Sequence, residues 1–129
     1  MTALKKGDRN KINLEGLDPR ESCEVDACFK AVEPHANRWD YYIGLGRNGA
    51  LYFEVHEVSE AELVCLMAKA QWLREKIASL GWAEIGGRSL FVAPTKGITP
   101  FALYGELSRR LALKKITVIM KGDRVCDLI

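Results

Sequence analysis

Three side chains that could hold a metal ion or move a proton lie near one another in the middle of the chain. Asp40 and Glu54 are separated by 13 residues, and His56 follows two positions after Glu54. Side chains alternate between the two faces of a strand, so Glu54 and His56 would share one face. Carboxylates and an imidazole on a sheet face are costly unless they are solvated, paired or bound to a metal. We therefore expect the functional site in this segment.

The sequence around these residues predicts a β-hairpin over residues 39–58. Runs rich in aromatic and β-branched residues, at 39–43 and 51–57, flank the turn sequence Gly46-Arg47-Asn48-Gly49. A hairpin would bring the acidic start of the first run close to the acidic end of the second.

The register of the hairpin decides which side chains meet. A two-residue turn pairs Ile43 with Glu54 and places Asp40 on the opposite face. A three-residue loop, with Gly49 left-handed, pairs Tyr42 with Glu54 and gathers all three candidate side chains on one face. The sequence leaves both registers open, together with a third interpretation in which the polar face of the hairpin is simply solvated.

The remaining pattern predicts a single α/β domain over residues 1–129. Capping boxes at Asp18–Glu21 and Ser59–Glu62 and the pair Thr99-Pro100 mark three helix starts. Residues 1–11 are predicted to form a loosely attached arm. Alternation of the elements indicates a central mixed sheet flanked by helices. Helices are predicted near residues 19–33, 60–80 and 100–112, with further strands at 89–93, 116–120 and 125–129.

Composition narrows the class of protein. No apolar run approaches the roughly 20 residues of a membrane span, and the N-terminus does not resemble a signal peptide. The four cysteines lack the two-residue spacing of zinc or redox motifs, so we expect them to be reduced. These features favour a soluble, cytoplasmic protein. The net charge of +2 is too small to indicate nucleic-acid binding by itself.

An acidic residue opening one strand, followed on the next by Glu-x-basic between helices, resembles the PD-(D/E)XK nuclease superfamily. The resemblance covers about residues 20–95 and implies a restriction-endonuclease-like core. It further implies that Asp40, Glu54 and the backbone carbonyl of Val55 hold Mg²⁺ or Mn²⁺. Two positions depart from the family pattern: Trp39 replaces a proline, and His56 replaces the lysine that activates the attacking water.

The missing lysine leaves three alternatives for the site. His56 could act as a general base or a metal ligand. Lys69, on the following helix, could supply the cation instead, with Gln71 as a polar neighbour. The third alternative is that the fold persists without catalysis.

Two functions follow from the resemblance. The first is a metal-dependent phosphodiesterase acting on DNA or RNA, which requires a basic cleft from residues such as Arg38, Arg47, Lys69 and Lys96. The second is a catalytically inactive module that binds a protein or a nucleic acid. That module would present an exposed aromatic patch, for which Trp72 and Trp82 are candidates.

Overall fold

A five-stranded mixed sheet forms the centre of the molecule in the computed structural model, which describes residues 4–9, 11–82, 89–95, 101–119 and 123–129. The spatial order of the strands follows the chain. The β1–β2 and β2–β3 pairs are antiparallel, whereas the β3–β4 and β4–β5 pairs are parallel. The strands are β1 (Glu21–Glu24), β2 (Tyr41–Gly44), β3 (Ala50–His56), β4 (Leu90–Pro94) and β5 (Ile116–Val118). The predicted α/β class with a mixed sheet is confirmed.

Within the described residues, four α-helices accompany the sheet: α1 (Lys6–Arg9), α2 (Val25–Phe29), α3 (Leu63–Leu80) and α4 (Phe101–Leu113). The longest, α3, begins after the predicted cap, where the Glu62 N–H donates to Ser59 Oγ at 3.3 Å. It ends at Gly81, whose φ of 67° is the left-handed conformation of a helix C-cap. None of the helices in the described ranges is both long enough and apolar enough to cross a membrane.

The sheet has a buried cluster on each face. The even-numbered residues Tyr52 of β3 and Leu90 and Val92 of β4 pack with α3 and α4. The odd-numbered residues Phe53 and Phe91 face the other way, into a cluster that contains Leu4, Ile12 and Val125 from the two ends of the chain. Glu54 is an even-numbered residue of β3. Strand alternation therefore directs its side chain toward α3.

The predicted helix over residues 19–33 is wrong in its first half. Residues Glu21–Glu24 form β1 and pair with β2, and only Val25–Phe29 is helical. The expected cap does not form, because the Arg20 N–H bonds to the carbonyl of Gly44 and continues the sheet. Pairing with an available strand outweighs the local capping signal here.

The predicted strand over residues 125–129 is also wrong. Val125–Asp127 is a turn of 3₁₀ helix, and the β-type pairing of this segment within the described residues is an isolated parallel bridge between Asn13 and Arg124. The burial of Val125 in the second cluster satisfies its apolar side chain without a ladder. The predicted helix start at Thr99-Pro100 lies outside the described residues.

Contacts attach the N-terminal segment to β2. Leu4 is buried, and the backbone N–H of Lys5 donates to the hydroxyl of Tyr41 at 3.2 Å. That hydroxyl in turn donates to Asp8 Oδ2 at 2.5 Å. Within the described part of residues 1–11, the arm is thus fixed to the sheet through Tyr41.

Candidate active site

The β2–β3 hairpin has a register that neither turn model predicted. Tyr41 pairs with Phe53 and Gly44 with Ala50, so five residues, 45–49, form the connection. Gly46–Asn48 makes a turn of 3₁₀ helix, and Gly49 has a φ of 97°. Relative to the predicted three-residue loop, the register is shifted by two residues. Because two is the strand period, Asp40 still lies on the same side as Glu54.

The carboxylates of Asp40 and Glu54 each accept a backbone N–H from the opposite strand segment. The Asp40 N–H donates to Glu54 Oε1 at 3.1 Å, and the Val55 N–H donates to Asp40 Oδ2 at 2.9 Å. Glu54 is only 1% exposed. Two carboxylates thus meet at the edge of the core, where β2 begins and β3 ends.

Lys69 completes this group from the helix above the sheet. Its Nζ lies 2.8 Å from Glu54 Oε2 and donates to the carbonyl of Arg38 at 3.1 Å. The side chain is half-buried, and α3 places it there because Leu66, Ala70 and Leu73 pack onto the sheet on either side of it. The cation expected from the following helix therefore contacts one of the two predicted metal-binding carboxylates.

His56 contacts the same carboxylate from the end of β3. Its Nδ1 lies 3.4 Å from Glu54 Oε2, and its Nε2 lies 3.8 Å from Glu62 Oε1. That Nε2 is buried and has no hydrogen-bond partner within the described part of the protein. His56 therefore belongs to the site, but it reaches away from Asp40 toward the first turn of α3.

The pKa values of the cluster reflect burial and mutual charge. Burial and the negative charge of Glu54 raise the pKa of Asp40 to about 6. Burial disfavours the ammonium of Lys69, but the adjacent Glu54 carboxylate outweighs it and raises the pKa of Lys69. The contact with Glu54 also raises the pKa of His56, against the opposing effect of burial. Lys69 is consequently a fixed positive charge at neutral pH.

The residues expected to form a basic cleft do not all lie beside the carboxylates. The guanidinium of Arg38 is paired with Asp26 at 2.9 Å and donates to the carbonyl of Glu33. Arg47 is exposed in the hairpin connection, at the far end of β2 from Asp40. Lys96 lies outside the described residues. Lys69 is thus the basic side chain of this predicted set that contacts the acidic pair.

The predicted tryptophan patch is wrong for Trp72. Trp72 is buried in the core under α2, and its ring meets that of Phe29 edge-on at 5.5 Å. Trp82 is partly buried and stacks over Tyr52 with the ring centroids 6.3 Å apart. Gln71, the proposed polar neighbour of the site, instead donates to Glu75 on the exposed side of α3. Both tryptophans serve packing between α2, α3 and the sheet.

Two neighbours of the site, Glu62 and Cys65, were not predicted from the sequence. Glu62 was assigned only to the helix cap, and Cys65 was considered only as one of four cysteines expected to be reduced. A usable signal was present, because His56 ends a strand and the other two occupy positions i and i+3 at the start of the next helix. Comparison of the chain with protein-family models, with curated proteins and with solved structures gave no significant match.

Proposed function

We propose that this protein is a divalent-metal-dependent phosphodiesterase that acts on a nucleic acid. The observation that carries the proposal is the meeting of Asp40, Glu54 and Lys69 at one end of the β2–β3 pair. The resemblance to PD-(D/E)XK nucleases assigns this combination of two carboxylates and a cation to phosphodiester hydrolysis. Lys69 on α3 would provide the positive charge of the family's motif lysine, a position that His56 occupies in this sequence.

The donor set fits Mg²⁺ or Mn²⁺. These hard cations prefer oxygen ligands, which Asp40, Glu54 and the carbonyl of Val55 would provide. Asp40 accepts the Val55 N–H through Oδ2, so Oδ1 would be the oxygen that binds the ion. The raised pKa of Asp40, caused by burial and by Glu54, also fits, because a cation would relieve the repulsion between the carboxylates.

The side chains of the site have separate roles in this proposal. When bound, the metal ion would polarise the scissile phosphate. Lys69 stays protonated beside Glu54, so it orients the attacking water and offsets negative charge rather than accepting a proton. The N–H groups of Asp40 and Val55 hold the two carboxylates in place. His56 is the alternative residue for accepting the proton of the water.

A cleavage assay with paired variants tests the proposal. Supercoiled plasmid and labelled single-stranded DNA and RNA would be incubated with the protein in Mg²⁺, Mn²⁺ or EDTA. We expect metal-dependent cleavage that falls at least about 100-fold in Asp40→Asn and in Lys69→Met. Matched controls are Asp18→Asn, whose carboxylate is 77% exposed, and Lys114→Met at the exposed end of α4; both should cleave normally. Cleavage that survives Asp40→Asn would refute the proposed site.

A second candidate function is a nuclease-like module without catalysis that binds a protein or a nucleic acid. One observation favours it: protein groups contact both oxygens of Glu54, namely the Asp40 N–H on Oε1 and Lys69 and His56 on Oε2. The oxygens of Glu54 therefore have partners without a metal ion. Calorimetric titration with Mg²⁺ separates the two functions, because the module predicts neither metal binding nor cleavage.

A further inference from the structure

The environment of His56 contains a second group of metal ligands, distinct from the pair of carboxylates. One ligand atom each from His56, Glu62 and Cys65 lie within 4.8 Å of one another, and all three residues are partly buried. The donors are a nitrogen, an oxygen and a sulfur. This set suits a borderline-soft transition metal such as Zn²⁺ rather than Mg²⁺.

The two ring nitrogens of His56 differ in their surroundings. Nδ1 faces Glu54 Oε2 at 3.4 Å, which favours the tautomer that carries its proton on Nδ1. Nε2, left with its lone pair, is buried and unpartnered within the described residues. A histidine that binds a metal almost always donates its other N–H to a carboxylate or carbonyl. Glu54 is in position to be that carboxylate.

Two of the donors are close to the separation required in four-coordinate zinc. With zinc–nitrogen and zinc–oxygen bonds of about 2.0–2.2 Å at tetrahedral angles, the two donor atoms lie roughly 3.3–3.5 Å apart. The distance from His56 Nε2 to Glu62 Oε1 is 3.8 Å. That separation is too long for a hydrogen bond, and a small rotation of the Glu62 side chain, which is 38% exposed, would bring both atoms onto one zinc ion.

The backbone holds the three residues in place without a metal. His56 ends β3, the Glu62 N–H is bonded to Ser59 Oγ, and the carbonyl of Glu62 accepts the N–H of Leu66. Glu62 and Cys65 are three positions apart and so lie on one side of the first turn of α3. A thiolate and a carboxylate would balance the two positive charges of the ion.

We propose that His56, Glu62 and Cys65 form a Zn²⁺ site at the junction of β3 and α3, with Glu54 orienting the imidazole. Three protein ligands leave the fourth position open to water. The site does not rest on the proposed phosphodiesterase activity, since Asp40 and Lys69 take no part in it.

Cobalt substitution gives a direct readout. Metal-free protein would be titrated with Co²⁺, and then with Zn²⁺ as competitor. We expect one bound ion that Cys65→Ser loses by native mass spectrometry, visible bands of four-coordinate cobalt, and a near-ultraviolet thiolate-to-cobalt band. The near-ultraviolet band should vanish in Cys65→Ser and persist in Cys126→Ser, which alters another half-buried cysteine.

Glu62→Gln provides a second variant that keeps the size of the side chain. It should lower Zn²⁺ affinity by more than about 100-fold, the upper end of what loss of an outer-shell partner costs. A wild-type protein without the thiolate band, or a Cys65→Ser protein that retains it, would overturn the proposal. Asp40→Asn should abolish the proposed cleavage but leave the cobalt spectrum intact, so the two proposals fail separately.

Discussion

The carboxylates of Asp40 and Glu54 form reciprocal hydrogen bonds across the β2–β3 pair. Glu54 Oε1 accepts the N–H of Asp40 at 3.1 Å, and Asp40 Oδ2 accepts the N–H of Val55, the residue after Glu54, at 2.9 Å. Hydrogen bonds to carboxylates are stronger than neutral ones, so this reciprocal arrangement fixes both side chains. Two like charges are thereby kept together, and Lys69 is the nearby cation that compensates them.

Lys69→Met should destabilise the protein by about 3 kcal/mol, because it leaves the buried charge of Glu54 without its main partner. The free energy of unfolding from urea denaturation measures the effect. Lys114→Met, at an exposed position, should change it by less than about 0.5 kcal/mol.

The double variant Lys69→Met/Glu54→Gln should be more stable than Lys69→Met alone, since the unpaired charge is removed. A double-mutant cycle gives the coupling between the two residues. If the two single effects simply add, the ion pair contributes nothing to stability.

The effect of Asp40→Asn on stability should depend on pH. The pKa of Asp40 is raised to about 6 by burial and by Glu54, above about 3.9 in the unfolded chain. A raised pKa means that the folded state binds the proton more tightly. The corresponding stability is present below pH 4 and is lost as pH rises through 6.

In EDTA, Asp40→Asn should therefore be nearly neutral at pH 4 and stabilise the protein by up to about 3 kcal/mol at pH 8. Asparagine retains an oxygen that can accept the Val55 N–H. Urea denaturation across this pH range, with Asp18→Asn as a control that should show no such trend, measures the difference. A stability difference that stays constant with pH would contradict the assigned cause.

Substitutions of Lys69 and of His56 should affect the proposed cleavage reaction to different extents. Lys69 lies 2.8 Å from Glu54 Oε2, whereas His56 is at 3.4 Å and reaches toward Glu62. We expect His56→Ala to keep cleavage within about tenfold of wild type and Lys69→Met to lose it. The reverse result, together with a rate that rises through the pKa of a histidine, would assign the proton transfer to His56.

Gly49→Ala should destabilise the hairpin by about 1–3 kcal/mol, because its φ of 97° and ψ of −148° suit only glycine. Gly7→Ala is the matched control, since Gly7 has no positive φ and open space around its Cα. Thermal denaturation compares the two. Equal melting temperatures for both variants would show that the connection can adopt another conformation.

Cys23 and Cys28 should form a disulfide under mild oxidation. Their sulfur atoms are 3.0 Å apart, about 1 Å more than a disulfide bond, and both residues line an apolar cavity of about 290 Å³. Burial and the neighbouring thiol raise the pKa of Cys23 to about 11, so the reaction should accelerate with pH.

With oxidised glutathione as the oxidant, we expect two of the four thiols to disappear and two glutathione molecules to be released. Thiol titration and mass spectrometry report the change. Cys28→Ser should lose the internal crosslink, and four titratable thiols in the oxidised wild type would contradict the prediction.

Signals within short stretches of sequence were sufficient to predict α3 and β4. The capping box at Ser59–Glu62 placed the start of α3 within a few residues, and the run at residues 89–93 predicted the interior strand β4. The strand at Glu21–Glu24 could not be predicted, because its partner β2 lies 17 or more residues away and outweighs a local capping signal. Strand pairing is a tertiary property.

The candidate site likewise combines features that the local sequence predicts with features that depend on tertiary contacts. The alternation of side chains along β3 correctly placed Glu54 and His56 on one side. The observed register differs from the predicted three-residue loop by two residues, so Asp40 still lies on the same side as Glu54. Lys69 could be suggested from the sequence, but its contact with Glu54 depends on the angle at which α3 crosses the sheet. The pairing of His56 with Glu62 and Cys65 depends on the short turn between β3 and α3.

The central position of β3 has a consequence for the motions of the site. With β2 on one side and β4 on the other, β3 cannot detach without breaking two ladders, so its amides should exchange with solvent only in large openings. The Val55 amide differs from them, because its hydrogen bond goes to the side chain of Asp40. Its exchange rate, compared with that of neighbouring amides, would report how often the Asp40 carboxylate leaves the Val55 N–H in the native protein.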